Sequence, residues 1–289
     1  MNLKQWKKQG KYLTYKKHQV FYRENGNGEH LLLIHGFPTA SYDWYKIWDE
    51  LVARFHVIAP DMMGFGFTDK PQNYSYSLFD QADLYEHILK EKGITNFHIL
   101  AHDYGDTVAQ ELIARQLERQ QKGTATWEIE SVCFMNGGII PGEHRPRLIQ
   151  RLLMSPIGKW VGMLSSKATL RRNFHAIFGQ NTPPTAQEID DFWELMTYNN
   201  GKGVIHKIIW YMDERVKNKA RWVGGMQNAI IPMLMINGPE DPISGRHSAE
   251  MFKKLVPHAE LRLLEGIGHY PQVEDPWGVL EQFINVLHA

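Results

Sequence analysis

Short apolar runs alternate with helical patterns along most of this chain, and this alternation constrains the fold more than any other feature. Six runs have the length and apolar character of buried strands: residues 31–36, 56–61, 97–103, 132–138, 233–238 and 261–266. Strands that alternate with helices form βαβ units, whose right-handed crossovers give a parallel sheet covered by helices. The sequence therefore predicts an α/β fold with a mostly parallel central sheet and helices on both faces.

Two segments depart from this alternation. Residues 12–24 hold two aromatic and β-branched runs, and the residues of Asn25–Gly28 that tolerate positive φ reverse the chain, so we expect an antiparallel start. From 141 to about 225 the sequence is helical, rich in tryptophan and locally basic, without a buried-strand pattern. We therefore predict one core, residues 1–140 and 226–289, with an inserted helical cap, residues 141–225.

Composition excludes several classes of function. The chain has 32 Lys plus Arg and 32 Asp plus Glu, so no overall charge attracts nucleic acid. We find no apolar run that approaches the length of a membrane span, and the basic start lacks the apolar region of a secretory signal, so a cytoplasmic protein without a membrane segment is expected. The single cysteine, Cys133, excludes an internal disulfide and is predicted to be buried.

The strongest local motif is Ala101-His102-Asp103-Tyr104-Gly105, which follows an apolar strand and precedes a helical pattern. It matches the small-x-nucleophile-x-Gly pattern of a tight strand-to-helix turn, where bulky residues two positions from the nucleophile would strike the backbone. The helix behind Asp103 presents amide groups that favour a carboxylate and developing negative charge. Taken alone, the motif also describes an aspartate that only caps the helix.

The oxyanion donors of such a site are predicted from a second strand end. His35-Gly36-Phe37-Pro38 closes an earlier strand, where this architecture takes a backbone N–H from the second residue after the histidine. That residue is Phe37. The N–H of Tyr104, directly after the candidate nucleophile, would be the other donor.

A general base and its partner are predicted from the last two strand ends. His269 follows the final strand in a glycine-containing turn, at the chain position of a base that comes after the nucleophile and the acid. Asp241 follows the preceding strand, and we prefer it to Glu240 because its shorter side chain is more rigidly aimed. Asn136 also follows a strand, but an amide cannot replace the anion. These strand ends favour the nucleophile interpretation of Asp103.

Together, HGFP, DMMGFGFTDKP, the Asp103 motif, NGPEDP and GHYP resemble the epoxide hydrolase and haloalkane dehalogenase branch of the α/β-hydrolase superfamily. The segments HGFPTASYDWYKIW, GFGFTDKP, HDYGDTVAQEL, NGGIIPGEHRP and RWVGG are similar, more specifically, to the mesoderm-specific transcript family and its bacterial relatives. The resemblance covers nearly the whole chain and implies an α/β-hydrolase fold. We expect no cofactor and no metal, since His98 and His102 have no convincing third ligand in the sequence.

An aspartate nucleophile displaces a leaving group at saturated carbon and forms an alkyl-enzyme ester, which water activated by His269 then hydrolyses. An epoxide leaves as an alkoxide and needs a proton donor, and the resemblance places one donor tyrosine of epoxide hydrolases at Tyr211. The early cap has no tyrosine, so the second donor of that family is either missing or replaced by Tyr198 or Tyr104. The remaining residues expected at the substrate are His35, Gly36, Pro38, His102 and Trp210.

The main alternative enzyme is a haloalkane dehalogenase, and a binding protein with a weak or vestigial site is a further one. Both enzyme families commonly place tryptophan where this chain has Tyr104, and many dehalogenases have asparagine where it has Phe37. These differences favour an epoxide over a halide. The expected partners are a small apolar organic substrate and water, in a monomer or homodimer. We interpret the basic, apolar segment Arg145–Arg172 as a solvated face of the cap, with a membrane contact as the alternative.

Overall fold

The computed structural model describes residues 1–287. In this range the strands are β1 Lys11–Tyr15, β2 His18–Asn25, β3 His30–Ile34, β4 His56–Pro60, β5 Asn96–His102, β6 Glu128–Met135, β7 Met233–Asn237 and β8 Glu260–Leu263. They form one sheet in the order β1-β2-β4-β3-β5-β6-β7-β8. Pairing is parallel from β4 through to β8, and antiparallel for β1 with β2 and for β2 with β4. The predicted mostly parallel sheet is confirmed.

Helices follow most strands. Those of the first half are α1 Leu3–Lys8, α2 Trp48–Val52, α3 Leu78–Lys92 and α4 Tyr104–Lys122, with a 3₁₀ helix at Ser41–Trp44. After β6 come α5 Leu148–Leu153, α6 Gly158–Leu164, α7 Lys167–His175, α8 Ala186–Thr197, a 3₁₀ helix at Tyr198–Gly203, α9 Ile205–Ile208, α10 Tyr211–Lys217 and α11 Lys219–Asn228. The chain continues with α12 Arg246–Leu255, α13 Pro271–Glu274 and α14 Pro276–Leu287.

The antiparallel hairpin at the start of the chain does not turn at Asn25–Gly28, the segment that the sequence suggests. The hairpin between β1 and β2 reverses at Lys16 and Lys17, both with positive φ. Gly26 and Gly28 also have positive φ, but the turn that contains them leads from β2 to β3, and β4 lies between those two strands in the sheet. The reversal at Asn25–Gly28 therefore joins strands that are not hydrogen-bonded to each other.

Every regular element between Met135 and Met233 in the described chain is helical, in the region where the sequence places a cap. Within it, Thr185 and Glu188 form a reciprocal capping box that starts α8, and Arg215 of α10 hydrogen-bonds to the start of α4. Among residues 1–287, no helix combines the length and apolar character needed to cross a bilayer.

The topology brings several loops to one edge of the sheet. Strands β3, β5, β6, β7 and β8 are parallel, so their carboxyl ends lie along the same edge. Ligands and reacting groups collect at this edge in open α/β sheets. The candidate residues predicted from the strand ends therefore meet there, beneath the helices that follow β6.

Candidate active site

Asp103 lies at a tight elbow between β5 and α4. Its backbone has φ 47° and ψ −103°, a conformation that residues with a side chain rarely adopt, and the residue is buried. A Cβ at Gly105 would clash with the carbonyl oxygen of Ile34 and lie 2.7 Å from that of His35. The elbow is therefore as tight as the small residues of the motif predict, and it presents Asp103 at the carboxyl edge of the sheet.

The loop after β3 holds one carboxylate oxygen of Asp103. The backbone N–H of Phe37 donates to Asp103 Oδ2 at 3.2 Å. Tyr104 is the first residue of α4, so its N–H belongs to the amides that have no acceptor within the helix. The N–H groups of Phe37 and Tyr104, the two predicted oxyanion donors, thus lie beside Asp103. The Phe37 N–H already donates to a carboxylate oxygen of Asp103.

His35 is a structural residue of this loop and does not line the cavity described below. Its ring is completely buried, its Nε2 accepts the backbone N–H of Met62 at 3.0 Å, and Nδ1 lies 2.9 Å from the carbonyl oxygen of Gly36. Burial lowers the pKa of His35 to about 4, so the ring is neutral at physiological pH. His35 and Gly36 therefore shape the loop that carries Phe37, and only Phe37 and Pro38 of this motif face the cavity.

His269 and Asp241 form a close buried pair. His269 Nδ1 lies 2.8 Å from Asp241 Oδ2, and both side chains are almost inaccessible to solvent. Burial alone would lower the pKa of the His269 imidazole, but the charges of Asp241 and Asp103 and the hydrogen bond to Asp241 outweigh it and raise the pKa to about 9. At neutral pH the imidazole of His269 therefore carries a proton, and it lies against the Asp241 carboxylate.

The Asp241 carboxylate is held by several donors besides His269. Oδ1 accepts the N–H of Ile243 at 2.7 Å, and Oδ2 accepts the hydroxyl and N–H of Ser244 at 2.8 and 3.1 Å and the Asn136 amide at 3.1 Å. Burial opposes ionisation, but His269 and these hydrogen bonds hold the pKa of Asp241 down, at about 2. Asp241 is therefore a fixed anion that orients the imidazole.

The backbone of His269 is anchored on both sides. His102 Nε2 donates to the carbonyl oxygen of His269 at 2.8 Å, while the N–H of His269 donates to the carbonyl oxygen of Ile177 at 2.8 Å. Burial and the neighbouring His269 lower the pKa of His102 to about 3. His102 is thus a neutral residue that holds the backbone of His269, and it lies outside the residues that line the cavity.

Arg215 of α10 reaches the elbow from the helical segment. Its Nη2 donates to the backbone carbonyl of Asp103 at 2.7 Å and lies 3.7 Å from Asp103 Oδ1, and its Nε donates to Thr107 Oγ1 at 2.7 Å. The guanidinium stacks on the ring of Tyr211 with 4.5 Å to the centroid. This buried arginine ties the helical segment to the elbow at Asp103.

The candidate proton-donor tyrosines occupy different places. Tyr211 is buried beside Phe37 and Tyr104, with ring centroids 5.8 and 4.8 Å away, and neither tyrosine hydroxyl has a hydrogen-bond partner within residues 1–287. Burial and the charge of Asp103 raise the pKa of Tyr211. Tyr198 instead packs against Phe67, with 5.1 Å between ring centroids. Tyr198 lies outside the cavity lining, so its position does not suit the expected donor role.

Trp210 is likewise outside the site. Its indole is about half exposed and borders a surface depression shared with Tyr74 and Glu214, rather than the cavity that contains Asp103. Neighbouring residues of a helix point about 100° apart around its axis, so Trp210 and Tyr211 face different surroundings. The expectation that Trp210 contacts substrate does not agree with this position.

A cavity of about 110 Å³ connects the elbow to the helices after β6. Asp103, His269, Phe37 and Pro38 line its core side. The opposite wall is mainly apolar and includes Ile149, Leu153, Val161, Leu170, Phe174 and Ile205, with the polar side chains of Gln150 and Asn173 among them. The volume and the lining suit a small apolar organic molecule.

The possible metal ligands lie elsewhere. Ligand atoms of Glu29, His98 and Glu130 come within 4.8 Å of one another, with His98 Nε2 at 3.4 and 3.2 Å from the two carboxylates. This cluster is at the amino end of β5, whereas Asp103 follows its carboxyl end. The cluster is therefore separate from the candidate active site, and His102 is not part of it.

Sequence reasoning missed two residues that contact the site. Arg215 is four positions after Tyr211 on the same helix, a spacing that places both side chains on one face, so the Tyr211 prediction could have identified it. Asn136 is the second, since its amide donates to Asp241. Its position directly after β6 is the sequence signal that marks it, and its φ of 43° shows a strained backbone there.

Comparisons with known proteins agree with this architecture. The family described as "alpha/beta hydrolase fold" matches residues 29–122. The structure of a haloalkane dehalogenase variant from Bradyrhizobium elkanii superposes with a TM-score of 0.80 at 21% identity, covering 96% of this chain and 95% of that one. An epoxide hydrolase, CorEH, superposes with a TM-score of 0.77 at 16% identity, covering 96% and 98%. At these identities the two structures show a shared fold.

Sequence relatives are considerably closer. The chain is 42% identical to the mesoderm-specific transcript protein of Mus musculus over 99% of its own length and 88% of that protein. It is 33% identical to the putative hydrolase LipZ of Mycobacterium tuberculosis, over 99% of this chain and 98% of that one. The resemblance seen in the sequence motifs is thereby confirmed. The chain belongs to the mesoderm-specific transcript family of α/β-hydrolases.

Proposed function

We propose that this protein hydrolyses a small apolar epoxide through a covalent ester on Asp103. The observation that carries the proposal is the position of Asp103 on the cavity wall, with Oδ2 bound by the Phe37 amide and His269 on the same wall. A carboxylate is a poor attacker of carbonyl groups but displaces leaving groups at saturated carbon. In the first step an oxygen of Asp103 bonds to an epoxide carbon, and the bond from that carbon to the ring oxygen breaks.

The ring-opened alkoxide needs a proton, and we assign that proton to His269. Its imidazole lines the cavity and is protonated at neutral pH, since its pKa is about 9. The sequence suggests Tyr211 for this role, but the tyrosine is not among the residues that line the cavity and its pKa is raised, which makes it the weaker acid. Transfer from Nε2 of His269 leaves a hydroxyl group on the product carbon and a neutral imidazole.

The second step uses the same imidazole as a base. Formation of the ester removes the negative charge of Asp103, which is one of the charges that raise the pKa of His269. Neutral His269, oriented by Asp241, then takes a proton from water, and the water oxygen attacks the carboxyl carbon of Asp103. The N–H groups of Phe37 and Tyr104 stabilise the oxyanion, and its collapse releases a diol.

A haloalkane is the second candidate substrate. The amides of Gln150 and Asn173 line the cavity and could donate N–H groups to a departing halide. A halide leaves without a proton, however, so His269 would remain protonated and would have to lose its proton to solvent before the ester could be hydrolysed. This ordering favours the epoxide.

Isotope labelling tests the ester route. A single turnover of styrene oxide in water enriched in ¹⁸O should place the label in the carboxyl group of Asp103, because the attacking carboxylate oxygen leaves with the diol. Peptide mapping by mass spectrometry would locate the label. Label that appears only in the product would mean that water attacks the substrate directly and would refute the covalent route.

Trapping the ester separates the roles of the two residues. With His269→Gln, a bromoalkane should form an ester on Asp103 that persists, because no proton is needed, whereas ester formation from styrene oxide should be much slower. Asp103→Asn should abolish both reactions. Asp106→Asn is the matched control, since it makes the same carboxyl-to-amide change at a buried position of α4 that does not line the cavity.

The same variants also decide among the alternatives. Diol formation that exceeds halide release in the wild type supports the epoxide substrate, and the reverse supports the dehalogenase. If no tested epoxide, haloalkane or ester leaves a mass on Asp103 in His269→Gln, the enzyme proposal fails and a binding protein becomes the better description. Tyr211→Phe should retain ring opening if His269 supplies the proton.

A further inference from the structure

Large apolar side chains are exposed on two short helices, α5 and α6, that follow β6. We call Leu148, Leu152, Ile157, Trp160, Met163 and Leu164 the cap patch. Leu148, Trp160 and Leu164 are each at least 67% exposed. Elsewhere in the described chain, exposed residues of this size, such as Trp210, Ile230 and Trp277, are spread singly along the sequence, which is usual for a protein surface.

Most helices bury their large apolar side chains, but α6 exposes them and buries its glycines. Its buried residues are Gly158 and Gly162. A Cβ at Gly158 would clash with the carbonyl oxygen of Leu153, and a Cβ at Gly162 would lie 2.8 Å from that of Lys202. The glycines therefore bring this helix close to its neighbours. Trp160 faces solvent, and Met163 and Leu164 lie on the same face because they follow it by three and four residues.

The charge around the cap patch has one sign. Between Glu143 and Glu188 the sequence contains seven lysines and arginines and no aspartate or glutamate, although the whole chain has a net charge of +0. Within the described residues, Lys167 of this set forms an ion pair, with Asp190, while Arg151 and Lys159 are exposed on the patch helices without one. An apolar surface flanked by unpaired basic residues matches a membrane interface.

We propose that the cap patch docks on an anionic lipid surface, with its apolar side chains entering the interfacial region and its basic residues meeting the headgroups. A second copy of this chain is a less favourable occupant. A two-fold dimer through the cap patch would bring the same basic residues of both copies together, and like charges oppose such an interface.

The cap patch is continuous with the cavity. Arg147, Ile149 and Leu153 on or before α5, and Val161 on α6, line the cavity, whereas the patch residues alternate with them along the same helices. A lipid surface against these helices would place the route to Asp103 next to an apolar phase. This part of the inference rests on the proposed function, since it concerns the origin of the substrate, but docking itself does not require any reaction.

Vesicle sedimentation tests docking without substrate. The wild-type protein should co-sediment with vesicles of equimolar phosphatidylcholine and phosphatidylglycerol, much less with phosphatidylcholine alone, and less as salt is added. The double variant Trp160→Glu with Leu164→Glu should bind at least about tenfold more weakly. Arg151→Glu with Lys159→Glu should also reduce binding by more than about tenfold, because each basic residue near the surface contributes several-fold.

The matched control uses equally exposed residues elsewhere. Trp277 is 67% exposed, the same as Trp160, and Ile230 is fully exposed, so Trp277→Glu with Ile230→Glu should leave vesicle binding unchanged. Circular dichroism would establish that each variant is folded. Equal binding of all variants, no binding by the wild type, or binding that is independent of phosphatidylglycerol would overturn the proposal. The proposal would also be overturned if sedimentation velocity showed a wild-type dimer and the double variant Trp160→Glu with Leu164→Glu were a monomer.

Discussion

The proton on His269 should be measurable as a pH dependence of stability. The pKa of His269 is about 9 in the folded protein and 6.5 in its ordinary state. A group whose folded-state pKa is raised contributes stability that is fully present below the unfolded pKa and is lost as pH rises through the folded pKa. Replacing His269 by glutamine, which does not titrate, removes this contribution.

The two pKa values set the magnitude. An interval from 6.5 to about 9 corresponds to about 3 kcal/mol of unfolding free energy, at roughly 1.4 kcal/mol for each pH unit. The wild type should therefore lose about 3 kcal/mol relative to His269→Gln as pH rises across this interval. Lys70, whose pKa burial lowers to about 8, titrates in both proteins, so its effect cancels in the difference.

Urea unfolding at several pH values between 6.5 and 9 would measure this difference. Asp103→Asn gives an informative intermediate case. It removes one charge that raises the pKa of His269 but leaves the Asp241 pair, so the dependence should become smaller without disappearing. Because an amide is neutral like the ester, this variant reports the state of the base before the second chemical step.

Parallel stability curves for wild type and His269→Gln would refute the reasoning. They would mean that the folded protein holds His269 neutral at physiological pH. The imidazole would then have no proton to give to an alkoxide, and the assignment of the first proton transfer to His269 would be wrong. A phenol, with Tyr211 as the candidate, would have to supply that proton.

Other consequences of the structure are open to direct tests. Gly105→Ala should destabilise the fold by about 3 kcal/mol or more in urea unfolding, because its Cβ meets backbone oxygens at the elbow, whereas Gly224→Ala, in an open helical position, should stabilise it by up to about 1 kcal/mol. Glu111→Ala should cost about 3–5 kcal/mol in thermal or urea unfolding, because three residues donate four hydrogen bonds to this buried carboxylate, whereas Glu118→Ala, which removes a partly exposed pair, should cost under about 1 kcal/mol. In Asn136→Gly, glycine tolerates the positive φ but lacks the amide that donates to Asp241. Single-turnover kinetics should show ester hydrolysis slowed about tenfold, with little change in ester formation. Equal effects on both steps would contradict a role through Asp241.

The parallel strands were predictable because the sheet is covered on both faces. β3 and β7 are buried almost throughout and read as continuous apolar runs, and polar residues directly after such runs mark the carboxyl edge. The same logic placed Asp103, Asp241 and His269 near one another. Their identity as reacting residues remains a prediction.

The arrangement of the helices between β6 and β7 was far less predictable from the sequence. Apolar periodicity indicates which face of a helix is inward, but the inward residues of α6 are glycines, so the rule gives the wrong face for Trp160. Tyr198 and Trp210 lie outside the cavity lining for a related reason. Which side chains of short, closely packed helices reach a cavity depends on their relative orientation, and that orientation is set by contacts between residues that are distant in sequence.

The backbone of His269 is held from two parts of the molecule. Its carbonyl group is held by His102, adjacent to the nucleophile, and its N–H group by Ile177 from the helical segment. A displacement of that segment would release one of the two anchors, so the alignment of the base depends on the seating of the helices above it. If His269 transfers protons as proposed, a substitution in the helical segment that displaces the carbonyl group of Ile177 should impair proton transfer without touching any residue that lines the cavity beside Asp103.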